Sequence, residues 1–157
     1  MKKFKNALVK ANNLFRTADH LAYVSYPLLK DNKLLVVITK NLYMAGVNGM
    51  DTILYYEKVY KRINILPTDF NSRMLIFEKQ LVPRMKINSS ICKIIKDLRF
   101  IINQHRESPV EFSRKDKFVI CNDDYSMVKT IDLETLKSYI VIMREFLHFV
   151  NGLKKDV

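Results

Sequence analysis

Apolar residues recur at three- and four-residue steps over most of this chain, the spacing of helices that present one stripe to a common core. Phe4, Ala7, Leu8, Ala11, Leu14, Phe15, Ala18, Leu21 and Ala22 make the first stripe and predict a helix from about Phe4 to Tyr26. Pro27 is expected to stop it, because the residue before a proline is pushed out of the helical region. Asp31 and Asn32 can cap a second, long helix over Lys33 to Ile63, with Leu34, Ile38, Leu42, Ala45, Gly49, Ile53, Tyr56 and Ile63 in phase. Its small residues Ala45, Gly46 and Gly49 would let another helix, or a second copy of the chain, approach closely.

After a turn at Pro67-Thr68-Asp69, Phe70, Met74, Phe77 and Leu81 begin a third helical region that Pro83 breaks or kinks. It resumes through Ile87, Ile91, Ile94, Ile95, Leu98, Ile101 and Ile102 to His105, and ends at Ser108-Pro109. The pattern then changes. Phe118 to Cys121 is a β-type run, Asn122-Asp123-Asp124 is turn chemistry, and Tyr125 to Ile131 can return as a second strand. A final helix from near Asp132 carries Leu133, Leu136, Ile140, Met143, Leu147 and Val150, with Asn151-Gly152 as its expected C-terminal cap. The expected fold is all-α: an up-and-down four-helix bundle with a short β-hairpin or irregular insertion before the last helix, one domain over residues 1–157.

Composition supports a packed domain and narrows its surroundings. Of 157 residues, 48% are hydrophobic, while Gly (3) and Pro (4) are scarce, which favours a few long helices over many short strands. Cys92 and Cys121 have no metal-binding spacing and are read as reduced thiols. The basic start, Met1 to Lys5, is followed by polar residues instead of an apolar signal core, and no run reaches the roughly 18 apolar residues of a membrane span. A cytoplasmic location without membrane attachment is the expectation.

Charge points to a partner. The chain carries Lys+Arg 27 against Asp+Glu 16, a net +11, which favours polyanions. From Lys79 to Lys117 there are ten basic residues against four acidic ones, so more than half of the excess lies in a quarter of the chain. Lys93, Lys96, Arg106, Arg114 and Lys115 are the candidate RNA-binding residues within it, through contacts to phosphate.

The three histidines are the natural candidates for chemistry. Glu145 and His148 form a Glu-x-x-His step, but a di-metal bundle site needs a second step and further glutamates, and no other helix supplies them. No metal or other cofactor is expected. His20 falls off its apolar stripe and reads as a surface residue. His105 lies seven residues after Leu98, on the stripe, with Arg99 six residues upstream. On an ideal helix those two side chains point about 120° apart, and converge only where the last turn unwinds. A histidine and an arginine together suit metal-free cleavage of RNA, the imidazole moving a proton and the guanidinium holding the phosphate. The same residues equally suit a structural role, capping the helix end and pairing with Glu107 or Glu111.

Arg99-Phe-Ile-Ile-Asn-Gln-His105 resembles the Arg-x4–6-His motif that HEPN domains carry at the end of their third core helix. The alanine-rich first helix, the long second helix and the order of elements are similar as well, over nearly the whole chain. The residue after the arginine, usually polar in that family, is Phe100 here. The resemblance implies an RNA-binding protein, with Arg99 and His105 as the catalytic pair of a metal-independent endoribonuclease of toxin or defence type. It further implies a homodimer that brings two motifs together and a nucleotidyltransferase-like antitoxin partner. The alternative is a non-catalytic helical interaction module that binds a protein, a nucleotide or nucleic acid.

Overall fold

The computed structural model describes residues 1–107, 110–114, 116–121 and 128–157. Helix α1 (Lys2–His20) leads through a π-helical turn (Leu21–Ser25) into the short α2 (Tyr26–Leu29). Long α3 (Lys33–Val59) follows, then α4 (Phe70–Ile76), a second π turn (Phe77–Leu81), α5 (Val82–Met85) and α6 (Ser90–Glu107). Strands β1 (Val110–Arg114), β2 (Lys117–Cys121) and β3 (Val128–Asp132) precede α7 (Leu133–Gly152) and a closing 3-10 turn (Leu153–Asp156).

The chain is therefore mostly helical with a small antiparallel sheet, as the periodicity implies, and α3 is its axis. That helix packs against α1, α6 and α7, and buries Leu35, Ile38, Leu42, Met50, Ile53 and Leu54 completely. Close approach is possible because the facing residues are small. Ala11, Ala18 and Ala22 of the first helical segment are fully buried. A Cβ on Gly46 would lie 2.8 Å from Ile95 of α6, and one on Gly49 would lie 2.7 Å from Phe146 of α7. The small-residue patch expected to serve a homodimer is thus consumed inside the chain, where it seats two helices.

Of the two helix-breaking prolines, Pro27 departs from its expected role and Pro83 keeps it. Pro27 does not end the first helix; the wider π turn before it accommodates a residue that lacks an N–H, and helical backbone continues to Leu29. Pro83 likewise follows a π turn, and the chain leaves the helix three residues later. Lys30 and Lys86 end these turns in the left-handed region, at φ 54° and 56°. The third helical segment is accordingly two helices. The second helix ends at Val59, not Ile63, where Lys61 (φ 55°) reverses the chain.

A β-hairpin is present where expected and is extended by a third strand that the hydrophobic pattern does not announce. β2 lies between β1 and β3, with Phe112 opposite Val119 and Val119 opposite Thr130. The expected turn at Asn122-Asp123-Asp124 and the start of the second strand at Tyr125 lie outside the described residues. Central β2 buries Phe118 through Cys121, and the sheet packs on α3, α6 and α7. It is anchored to the other end of the chain by buried Asn32, which accepts from the Tyr26 hydroxyl (2.8 Å) and donates to the Lys117 carbonyl (3.3 Å). Asp132 caps α7 by accepting from the Thr135 N–H at 2.8 Å. Gly152, expected with Asn151 as the C-terminal cap, stays helical; Leu153 takes the cap position and the chain tightens into the 3-10 turn.

Among the described residues no helix is long and apolar enough to cross a membrane.

Candidate functional site: a groove beside the basic face of helix α6

Helix α6 buries Ile91, Cys92, Ile94, Ile95, Leu98 and Ile101 and turns its polar residues to an outward face. Lys93, Lys96, Phe100, Asn103 and Arg106 are exposed on it and Arg99 is half-buried at its edge. Steps of three and four residues keep these six within one sector of the helix. Glu107 also projects from this sector and lowers its net charge.

Beside this face, α4 and the π turn that follows it leave a groove of about 480 Å3, lined by Phe70, Asn71, Glu78, Lys96, Arg99 and Phe100, with Asn103 at its end. Arg99 is fixed in it. Its guanidinium carbon stands 4.1 Å from the centre of the Phe70 ring, and Nη1 donates to the Asn71 side-chain oxygen at 3.1 Å. Phe70 is held in turn by Tyr43 of α3, at 6.2 Å between ring centres. Burial raises the Tyr43 phenol above its ordinary range, and the charges of Arg99 and Arg106 oppose that rise, which puts both arginines within electrostatic reach of one hydroxyl. Lys96 is spent differently: it pairs with Glu78 at 2.5 Å and holds that carboxyl below the usual range.

Chemically, an exposed ring beside a fixed cation can contact a chain of alternating rings and anions. The Phe100 face is 40% exposed, enough to take a stacked base, and Arg99 is a pre-oriented phosphate donor beside it.

His105 sits elsewhere. α6 stays helical through Glu107, so the unwinding that would let His105 swing toward Arg99 does not occur, and the two point about 120° apart. His105 packs edge-on against Phe118 of β2, at 6.2 Å between ring centres. Its Nδ1 lies 2.6 Å from a carboxylate oxygen of Glu111 on β1. No hydrogen bond forms across this close contact. The pairing with Glu111 is the one the structural reading of this motif anticipates.

No family model, curated protein or solved structure matches this chain.

The other candidates divide clearly. Lys93, Lys96 and Arg106 share the groove side of α6. Arg114 ends β1 and its side chain is outside the described atoms, while Lys115 lies outside the described residues. His20, Glu145 and His148 are exposed, and no three His, Cys, Asp or Glu side chains among the described residues gather as metal ligands. Nothing local in the sequence marks Phe70 and Asn71 as groove-wall residues. Phe70 reads there as one more core position, and only the folding of α4 onto α6 makes it a platform.

Proposed function

We propose that this protein is a HEPN-like RNA-binding protein that takes a single-stranded segment along the exposed face of α6. The observation that carries the reading is Arg99, fixed by Phe70 and Asn71 at the edge of a groove, with exposed Phe100 next to it. Single-stranded RNA offers phosphates to Arg99, Lys93 and Arg106 and an unpaired base to Phe100, and both kinds of contact tolerate varied sequence. In this reading α4, α5 and α6 together stand for the third helix of an up-and-down four-helix bundle. The choice of RNA over DNA rests on the resemblance.

Cleavage is the second reading, favoured by the carboxylate beside His105. An imidazole with an acidic neighbour at one nitrogen is suited to passing a proton at the other. Because Arg99 projects to a different side, the cleaving arrangement joins His105 of one copy to Arg99 of another in a homodimer, with no metal. A nucleotidyltransferase-like antitoxin is the partner that accompanies this reading.

The test combines binding and cleavage. Fluorescence anisotropy with a labelled RNA oligonucleotide should show affinity that falls with salt and that Arg99→Ala and Phe100→Ala each weaken. The same proteins and His105→Ala are then incubated with cellular RNA in EDTA and run on a gel. Fragments from wild type but not from His105→Ala or Arg99→Ala support the nuclease. Binding without fragments leaves an RNA-binding module. Neither binding nor fragments from folded protein defeats both readings in favour of a protein-interaction module.

A further inference from the structure

On the other side of α4 from the groove lies a second pocket, of about 400 Å3, lined chiefly by Lys2, Lys3, Tyr55, Lys58, Thr68 and Arg73. Its size is within the range of small-ligand sites. Four of those side chains are cationic and no carboxylate is among the lining residues. Arg73 is the built part of it. The side chain is only 16% exposed, its Nη1 donates to Asp51 at 2.8 Å, and its Nε donates to the Pro67 carbonyl at 2.5 Å. Those two bonds orient the planar fork and leave further N–H donors unspent. Its guanidinium carbon lies 5.7 Å from the centre of the Tyr55 ring, and the Lys3 ammonium lies 5.9 Å from that centre.

Asp51 offsets one of the four charges. None of Lys2, Lys3 or Lys58 has an ion-pair partner among the described residues. Three lysines without an ion-pair partner around one concavity raise its positive potential, and an anion in that concavity offsets it. The groove beside α6 differs on this point, since Glu78 there already neutralises Lys96.

We propose that this second pocket binds a phosphate group, with Lys3 and Lys58 supplying charge, Arg73 the oriented fork and Thr68 a hydroxyl. A phosphate can come from a free nucleotide or from the 5′ end of an RNA, and the pocket's chemistry is the same for both. The site is independent of the α6 groove and stands whether or not that groove binds RNA.

Calorimetric titration of the full chain with inorganic pyrophosphate, ADP, and matched 5′-phosphorylated and 5′-hydroxyl RNA oligonucleotides tests it. Lys3→Glu and Lys58→Glu are the probing variants, both at exposed positions, with folding checked by circular dichroism. Lys10→Glu, exposed and not among the lining residues, changes net charge equally and is the control. The expected result is saturable binding that weakens about tenfold or more in each probing variant and far less in the control, the scale of losing one charge-assisted contact. Binding of pyrophosphate and ADP identifies a free phosphate ligand; preference for the 5′-phosphorylated oligonucleotide alone identifies an RNA end; each supports the site. Absence of saturable binding by all four probes overturns it. Equal weakening in Lys10→Glu also overturns it, because the effect is then the general field of a basic protein.

Discussion

Arg99 of α6 and Phe70 of α4, 29 residues apart in the chain, form a cation–π pair at 4.1 Å that joins the two helices. The pair decides where the chain's best-placed arginine points. Held over Phe70 and bonded to Asn71, Arg99 gives up little conformational freedom on meeting a phosphate, which is the advantage of a pre-oriented donor.

Replacing Phe70 with Leu should keep the groove apolar while releasing Arg99. RNA affinity is expected to fall less than in Arg99→Ala, and the salt dependence of binding to stay near that of wild type. Arg99→Ala should instead lower the slope of log affinity against log salt by about one phosphate contact. Anisotropy titrations over a salt series separate the two; identical slopes in wild type and Arg99→Ala would remove Arg99 from the interface.

Gly49 packs where a Cβ would meet the Phe146 ring at 2.7 Å and Leu147 at 3.0 Å. Gly49→Val should therefore destabilise the fold by about 1–3 kcal/mol through overpacking between α3 and α7. Urea denaturation should show a lower midpoint with an unchanged slope. Because this face is internal, sedimentation should report the same oligomeric state for variant and wild type at matched concentration.

Glu57 is a fully buried carboxylate on α3, paired with Arg62 at 3.1 Å and with Arg84 of α5. A buried charge is tolerated only while its partners remain. Arg84→Ala should lower Tm more than Arg16→Ala, an exposed position on α1. Combining Arg84→Ala with Glu57→Gln should recover part of the loss, since the neutral side chain no longer requires two cations. A double variant no more stable than Arg84→Ala would show that the ion pair is not what α5 depends on.

Burial pushes the Cys92 thiol up to about 11, with Glu78 adding to the rise and Lys96 opposing it. In the unfolded chain the thiol ionises near its ordinary value of 9.0, so above that pH the unfolded state sheds a proton that the folded state keeps. The associated stability is complete below about pH 9 and is lost as pH rises toward about 11. Tyr26, Tyr43, Tyr56 and Tyr139 are raised from 10.0, burial being the leading cause in each, and they add to the loss above about pH 10. Denaturation midpoints measured from neutral pH upward should decline over this window, and Cys92→Ala should show a shallower decline between pH 9 and 10 than wild type.

Much of the helical layout was legible because burial imposes a period on the sequence. The stripes put Ile38, Leu42, Ile53, Ile95, Leu98, Ile140 and Leu147 in the core, and all are buried. Asp132 was read as the start of the last helix and caps it. The errors fall where backbone geometry, not periodicity, decides. A proline reads as a stop, yet one π turn ahead of Pro27 lets the helix continue. β1 was missed because Val110 to Arg114 has too few apolar residues to announce a strand; it exists by pairing with β2.

The sequence by itself determined the helical class, the positions of most core stripes, the strong basic charge and the residues that resemble a cleavage motif. Those follow from local spacing and composition, which need no knowledge of what lies opposite. Only the tertiary structure decided which surfaces the small residues and cations serve. Gly46 and Gly49 became internal seats once α6 and α7 folded onto α3. Phe70 became a platform once α4 met α6. An unbroken α6 then turned Arg99 and His105 to different sides, the first toward a groove and the second toward Glu111. These outcomes depend on contacts between residues far apart in the chain, and no local pattern encodes which partner each will find.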